Sequence, residues 1–309
     1  MGYGAFSDGW EIKRGEYAYP GRLEDLASPP ETIYGRGDPS ALAEEALAII
    51  GTRQMTPYGE GVCTLAARMA VSFGLAVVSG GAIGCDSAAA QSALAERGTN
   101  IVVLGTGADV TYPLRSDPLI QQTISQGGAV ISIERWGTQP RRYAFPKRNR
   151  IIAALSRAVF VAEAGMPSGT FSTAEAATEI GREVLAVPGS IFSPASRGSN
   201  YLIESGACII ADEEALSCAL SRIFCRLRSE AAGRARTPVL GPCGSLILEA
   251  LVATPLRVDA IARAAHIDTR TCLERLSELT LAGLVERMVD GRYAATAAAL
   301  VNRTSFGAQ

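Results

Sequence analysis

Over residues 46–225, short apolar runs alternate with longer segments of helical periodicity. The runs are continuously apolar, which is typical of strands buried on both faces. We predict strands at 46–50, 75–79, 101–104, 129–133, 158–163, 183–187 and 207–211, and helices at 59–73, 86–97, 148–156, 172–181 and 200–205. This alternation predicts an α/β domain with a doubly wound, mostly parallel Rossmann-like sheet.

The flanking segments predict a second, smaller domain. Residues 1–45 are rich in turn-forming residues and are expected to form an extension packed on the core, with the Rossmann-like domain at 46–225. Residues 226–242 carry few apolar side chains and are expected to be a linker, and 301–309 a tail. Between them, predicted helices at 245–251, 257–265 and 268–282 precede two short strands that flank Asp290-Gly291, a dipeptide typical of hairpin turns. This order predicts a winged-helix domain at 243–300.

Composition narrows the classes of function. The chain has 29 basic and 31 acidic residues, a net charge of −2, so any nucleic-acid site needs locally clustered charge. Its seven cysteines form no Cys-x-x-Cys pair and His266 is the only histidine, which argues against a zinc site and a disulfide framework. No apolar run is long enough to span a bilayer. We expect a cytoplasmic protein with no bound metal and no membrane contact.

Glycine-containing segments follow four of the predicted strands, at 51–53, 79–84, 105–107 and 164–170. Ligands of doubly wound sheets bind beyond the carboxyl ends of the strands, where glycines and helix N-termini expose backbone N–H groups to anions. The chain contains no Gly-x-Gly-x-x-Gly pattern of dinucleotide-binding proteins and no Walker A motif. The segments therefore predict an anion site, and we expect no cofactor.

A basic segment indicates which anion binds. Residues 135–162 include seven basic residues and no acidic one: Arg135, Arg141, Arg142, Lys147, Arg148, Arg150 and Arg157. Phe145 lies within this segment, beside its densest cluster of cations. Cations that hold phosphates next to a ring that stacks on a base are typical of single-stranded nucleic-acid sites. The segment therefore predicts binding of single-stranded DNA.

An ordered series of motifs resembles the DNA-processing protein A family, called DprA or Smf. The motifs include Tyr19-Pro20, Ile49-Ile50-Gly51-Thr52-Arg53, Val78-Ser79-Gly80, Tyr112-Pro113, Phe145-Pro146-Lys147-Arg148-Asn149-Arg150, Ser168-Gly169-Thr170 and Val187-Pro188-Gly189-Ser190. The resemblance implies a non-enzymatic protein that binds and protects incoming single-stranded DNA and loads the recombinase RecA on it during natural transformation.

The same resemblance implies roles for individual residues. Arg53 and Lys147 would contact phosphates, Phe145 would lie near the strand, and Ser79 and Gly80 would line the same pocket. The complete predicted nucleic-acid site is Thr52, Arg53, Ser79, Gly80, Phe145, Lys147, Arg148, Asn149, Arg150, Ser168, Gly169 and Thr170. This chain departs from the family pattern at Ile83, where an arginine is usual, and at Cys85, where isoleucine is usual. The change at Ile83 removes one cation from the expected rim of the pocket.

The family resemblance also implies a homodimer that pairs through the late part of the Rossmann-like domain. That region is apolar, and we predict Leu202, Ile203 and Ile210 as interface residues. A sheet edge or helix face left apolar would favour such pairing.

Two other functions fit parts of the sequence. The chain could be an enzyme of the nucleoside-monophosphate phosphoribohydrolase type, because Met166–Thr170 followed by Glu175 partly matches the loop of such enzymes. It could also be a regulator that binds duplex DNA through the winged helix. The predicted recognition helix carries Arg270 and Arg275 against Glu274, Glu278 and Asp268, a net negative balance that suits duplex DNA poorly.

Overall fold

A computed structural model describes residues 9–228, 242–296 and 299–300. The described residues fall into two compact units: 9–55 with 65–228, and 56–64 with 242–296 and 299–300.

The larger unit is built on one twisted sheet. Its strands are β1 (Gly9–Lys13), β2 (Thr32–Gly37), β3 (Ala46–Ile50), β4 (Ala76–Ser79), β5 (Asn100–Val103), β6 (Ala129–Ser132), β7 (Ala158–Val161), β8 (Glu183–Ala186) and β9 (Cys208–Ile209). They lie in the order β1-β2-β6-β5-β4-β3-β7-β8-β9. Strands β3 to β9 are mutually parallel, whereas β1 and β2 pair antiparallel at one edge.

Helices connect the parallel strands of this sheet. They are α1 (Pro57–Ser72), α2 (Cys85–Ala95), α3 (Asp117–Ser125), α4 (Ala144–Leu155), α5 (Thr170–Glu179), α6 (Arg197–Glu204) and α7 (Glu213–Phe224). Every residue of β3, β4, β5, β6 and β7 is buried, as expected for strands covered on both faces. The predicted fold class of this part, a doubly wound and mostly parallel sheet, is confirmed.

Four elements were missing from the sequence prediction. The N-terminal strands β1 and β2 lie in a stretch that composition marked only as turn-rich. They extend the sheet beyond β6, and the Trp10 ring covers Gly35 so closely that a Cβ there would overlap it. Helices α3 and α7 were also not predicted, although Asp212 caps α7 by accepting a hydrogen bond from the Ala215 N–H at 2.8 Å.

The smaller unit contains the winged-helix elements that the sequence predicted. They are α8 (Pro242–Leu251), α9 (Val258–Ala264), α10 (Thr269–Leu281) and the antiparallel pair β10 (Val285–Arg287) and β11 (Tyr293–Ala295). Ile247, Ile261 and Leu276 are fully buried in its core. The hairpin loop is longer than the two residues that Asp290-Gly291 indicated. It runs over 288–292, and Gly291 takes a φ of 82° while its N–H donates to the Met288 carbonyl.

Among the described residues, no helix is both long and apolar enough to cross a membrane.

Candidate nucleic-acid interface

The order of the parallel strands reverses between β3 and β7. The chain moves from β3 through β4 and β5 to β6 on one side, and from β7 through β8 to β9 on the other. The loops that leave β3 and β7 therefore separate and open a crevice, the usual ligand site of such sheets. A cavity of about 570 Å³, here called the switch cavity, lies there. Its walls are Ile50, Gly51, Thr52, Arg53, Gln54, Ala82, Asp86, Arg142, Phe145, Pro146, Arg148, Asn149, Ile152, Pro167, Ser168, Gly169, Thr170, Ser172 and Thr173.

The loop after β3 forms one wall and is fixed by backbone hydrogen bonds. The Thr52 N–H donates to the Glu163 carbonyl at 2.8 Å, and the Thr52 carbonyl accepts from the Cys85 N–H at 3.1 Å. Gly51 is required at the tightest point, because a Cβ there would lie 2.7 Å from the Glu163 carbonyl oxygen. This loop presents Arg53, which is exposed, to the cavity.

Helix α4 supplies the basic wall of the cavity, but only some cations of the basic segment point toward the cavity. Arg148 points inward together with Ile151 and Ile152, because residues three and four apart share one face of a helix. Lys147 and Arg150 are exposed, and neither lines the cavity. The ammonium group of Lys147 lies 5.1 Å from the centre of the Tyr143 ring. Of the three predicted cations on this helix, the structure places only Arg148 at the cavity.

Arg148 is held deep in the fold beside a buried carboxylate. The Asp86 Oδ2 accepts hydrogen bonds from the Gly80 N–H at 2.9 Å and the Ala82 N–H at 3.4 Å. Burial raises the pKa of Asp86, while the charge of Arg148 and the two N–H donors oppose that rise. Burial likewise lowers the pKa of the Arg148 guanidinium, and Asp86 opposes that change. Gly80 makes room for this arrangement, because a Cβ there would overlap the Arg148 Nη1.

The loop before α5 closes the opposite wall. The Ser168 hydroxyl donates to the Thr170 Oγ1 at 2.9 Å and accepts from the Thr170 N–H at 3.2 Å. The Asn149 amide of α4 donates to the Ser172 Oγ at 2.6 Å, which ties the two helices together. The N-terminus of α5 thus faces the cavity, where the positive end of the helix dipole favours an anion.

The structure brings eight of the twelve predicted site residues to the switch cavity: Thr52, Arg53, Phe145, Arg148, Asn149, Ser168, Gly169 and Thr170. Gly80 lines a neighbouring cavity of about 160 Å³, here called the small cavity, which shares Arg53, Ala82, Phe145 and Arg148 with the first. The placement of Ser79 at the pocket wall is wrong, because this residue is fully buried, lines neither cavity and its hydroxyl has no hydrogen-bond partner among the described residues.

Sequence reasoning missed three charged residues of these walls. Arg142 belongs to the basic segment and lines the switch cavity, so the clustering of charge could have identified it. Asp86 lies two residues after the second glycine segment, in the first turn of α2, where an acidic residue is common. Arg115 lines the small cavity from the segment before α3, and no sequence signal pointed to it.

In the region predicted to pair two subunits, the exposed residues are not the ones that the sequence indicated. Leu202 and Ile203 are partly buried and pack against the core of the same chain. Ile210 is buried with 3% exposure, so its prediction as an interface residue is wrong. Its neighbour Ile209 on the edge strand β9 points outward and is 51% exposed, because successive strand residues face opposite sides.

The recognition helix of the winged-helix unit carries arginines that are already paired. Arg270 Nε lies 3.2 Å from Glu274 Oε1, and Arg275 Nη1 lies 2.6 Å from Glu278 Oε2. Both pairs are exposed, so each contributes little to stability, but each lowers the positive potential that this face offers to phosphates.

Sequence comparisons identify relatives of the chain. A family model described as DNA recombination-mediator protein A matches residues 11–221, and one described as the DprA winged helix domain matches residues 231–291. Protein Smf of Escherichia coli is 38% identical over 196 residues, 63% of this chain and 52% of that protein. The putative DNA processing protein DprA of Mycobacterium tuberculosis is 36% identical over 253 residues, 82% of this chain and 64% of that protein. The chain thus spans between about half and two thirds of the length of these relatives.

Solved structures that resemble this chain include two of DNA processing protein A. DNA processing protein A from Streptococcus pneumoniae is 35% identical with a TM-score of 0.64, over 68% of this chain and 74% of that one. DNA processing protein A from Helicobacter pylori, whose structure is described as giving insight into its single-stranded DNA binding mode, is 30% identical with a TM-score of 0.63. That match covers 70% of this chain and 97% of the other. With one family model covering most of the larger unit and a second covering the winged helix, this chain belongs to the DNA recombination-mediator protein A family, whose members are also named DprA or Smf.

Proposed function

We propose that the switch cavity binds single-stranded DNA. The observation that carries this proposal is the convergence of Arg53, Arg142 and Arg148, the Phe145 ring and the N-terminus of α5 on one cavity. Cations and backbone N–H groups hold phosphates whatever the sequence, and a ring offers stacking to any base. The Helicobacter pylori relative, described by its single-stranded DNA binding mode, supports the same ligand.

The carboxylate of the cavity fits a structural role better than a catalytic one. Asp86 is the acidic residue among the described lining residues, and its Oδ2 is engaged by the N–H groups of Gly80 and Ala82. Glu175, the acid that the phosphoribohydrolase alternative would use, is exposed and lies outside the described cavity wall. We therefore propose a binding protein, and we expect no release of free base from nucleoside monophosphates.

In the proposed mechanism the protein covers incoming single strands and passes them to the recombinase RecA. Family membership as a recombination mediator supports this role. Its test is the rate at which RecA forms filaments on single strands already coated with a single-strand-binding protein. We expect this protein to raise that rate and Arg53→Ala to lose the effect. An equal rate with and without the protein would contradict recombinase loading and leave DNA binding intact.

The direct test of DNA binding is titration with single-stranded and duplex DNA at several salt concentrations. We expect preference for single strands and a log–log slope of about −0.7 per phosphate contacted. Arg53→Ala should make the slope shallower by about one contact, whatever the base sequence. Duplex preference would favour the winged-helix regulator, and affinity that is constant across salt would refute the electrostatic site.

A further inference from the structure

Two strongly exposed apolar side chains are neighbours in one loop of the larger unit. Phe192 is 90% exposed and Ile191 is 79% exposed. Both lie between β8 and α6, and the surface that these two residues form is here called the β8 platform. A single exposed apolar side chain is ordinary, but two adjacent ones form an apolar surface that a ligand can cover.

Hydrogen bonds order the loop that carries the β8 platform. The Gly189 N–H donates to the Asn200 Oδ1 and the Asn200 amide donates to the Gly189 carbonyl, each at 3.0 Å. The Phe192 N–H donates to the Ser190 Oγ at 3.3 Å, and the Ser193 N–H donates to the Ser190 carbonyl at 3.0 Å. Because the backbone is already ordered, a ligand that binds the two side chains has little loop entropy to remove.

The β8 platform adjoins the β7 side of the switch cavity. Strand β8 is the neighbour of β7, so the loops that leave the two strands lie at the same edge of the sheet. They approach closely, since a Cβ on Gly165 would lie 3.3 Å from the Pro194 carbonyl oxygen. Pro194 is two residues from Phe192, and Gly165 is three residues from Ser168 on the cavity wall. A flexible ligand that fills the cavity can therefore extend onto the platform.

The charges near the β8 platform favour a polyanion as this ligand. Residues 164–174 and 187–203, which form the two loops and the helix starts beside them, contain no acidic residue. Arg197, at the start of α6, is exposed and forms no ion pair with any residue that the structure describes. An exposed ring near an unpaired cation suits single-stranded nucleic acid, because the ring stacks on a base while the cation holds a phosphate.

We infer that single-stranded DNA leaves the switch cavity over the β8 platform, where a base stacks on Phe192 and Arg197 holds a nearby phosphate. The inference rests on the proposed DNA binding and adds a direction to it. The strand runs along the carboxyl edge of the sheet from β7 toward β8, away from β4 and β5. Because every base has an aromatic face, this contact depends little on sequence and depends strongly on the length of the strand.

The test is a titration with oligothymidylates of increasing length. For the wild-type chain, affinity should rise once the oligomer is long enough to extend beyond the cavity. Phe192→Ala should weaken binding of long oligomers about 5-fold, the effect of one lost stacking contact, and leave the shortest oligomer that binds unchanged. Arg197→Gln should make the log–log salt slope shallower by about 0.7 for long oligomers alone.

Two further variants control for the ring and for the direction. Phe192→Trp retains a stacking ring and should keep the wild-type affinity. Its added fluorescence, measured against the wild-type chain with Trp10 and Trp136, should be quenched by long oligomers alone. Leu114 is 80% exposed in the segment after β5, on the other side of β3 in the sheet. Leu114→Ala should therefore keep the wild-type affinity at every length.

The possible outcomes separate the β8 platform from the switch cavity. Equal losses on short and long oligomers with Phe192→Ala, or no loss on either, would overturn the platform. A mass of Phe192→Ala below that of the wild-type chain in light scattering would also overturn it, because the exposed pair would then bind a second copy of the chain. If the wild-type chain binds the shortest and the longest oligomers equally, the platform is refuted and DNA binding in the cavity stands. If it binds none of them, both proposals fall.

Discussion

Arg53 and Arg148 show two ways in which a single residue can present charge to a ligand. Arg53 is exposed on a loop, so its guanidinium is free to follow a phosphate and its removal costs the fold little. Arg148 is buried beside Asp86, and removing it would leave that carboxylate uncompensated in the protein interior. Binding experiments therefore separate ligand contact from stability at Arg53, whereas a substitution of Arg148 changes both.

Ile83 is a position at which an added charge should strengthen DNA binding. It lines the small cavity near Arg53 and Arg115 and is half-buried. Ile83→Arg should tighten binding of single-stranded DNA and steepen the log–log salt slope by about 0.7, because a long arginine side chain can keep its charge at the solvated rim. Titration at several salt concentrations measures both quantities.

The matched control for this variant is Ile83→Gln, which supplies a long polar side chain without the charge. It should leave the slope at the wild-type value. If Ile83→Arg and Ile83→Gln have the same slope, the position does not face a phosphate.

Single residues also show where sequence reasoning reaches its limit. The basic segment predicted the wall of the site, but only helical phase decides that Arg148 points inward and Lys147 outward. The sequence does not show to which side the last residue of a strand points. It therefore predicts Ser79 in the pocket, whereas in the structure this residue is fully buried. The same holds for two neighbouring residues at the end of the sheet, of which Ile210 is buried and Ile209 is exposed. In these places the sequence indicates which segment forms the site, but it does not indicate the direction in which each side chain points.

At the scale of elements, the site depends on how α4 and α5 are held together. The Asn149 amide donates to the Ser172 Oγ, and that hydroxyl donates to the Gly169 carbonyl at 2.9 Å. Asn149→Ala removes the link and should weaken binding of single-stranded DNA by about 2- to 10-fold, the effect of one hydrogen bond. The salt slope should stay constant, since no charge is lost.

Asn149→Asp is the control for this link, because it keeps the size of the side chain and adds a negative charge. It should weaken binding further and make the slope shallower. An Asn149→Ala variant with wild-type affinity would show that the two helices hold their positions without this hydrogen bond.

Elements differ in how well their sequences predict them. The central strands are continuous apolar runs that only burial on both faces explains, and all of them were predicted. Strands β1 and β2 lie at the sheet edge, where most residues are only partly buried or exposed. Their sequences therefore lack the continuous apolar runs of the central strands. Helix α3 has nine residues, so its sequence contains too few turns for a helical period to be recognised. Edges and short helices depend on tertiary contacts that composition does not report.

At the scale of the whole molecule, we propose that two copies pair through the β9 edge. Strand β9 has only two residues and pairs with β8 on one side, with no further strand beyond it among the described residues. Ile209 on this strand and Tyr201 on α6 are both about half exposed. An open sheet edge beside exposed apolar groups favours two-fold association. Two switch cavities on one dimer could hold one strand and raise avidity.

Light scattering tests this pairing in solution. The wild-type chain should give a mass near twice 32.3 kDa at micromolar protein. Ile209→Glu should shift the mass to that of a monomer, because a charge at the pairing edge must be desolvated on association. The same variant should weaken binding to long strands more than to short ones, since only long strands reach both cavities. Tyr17→Glu, at a fully exposed aromatic residue in the segment between β1 and β2, is the matched control and should remain a dimer. A wild-type monomer at every accessible concentration would refute the pairing.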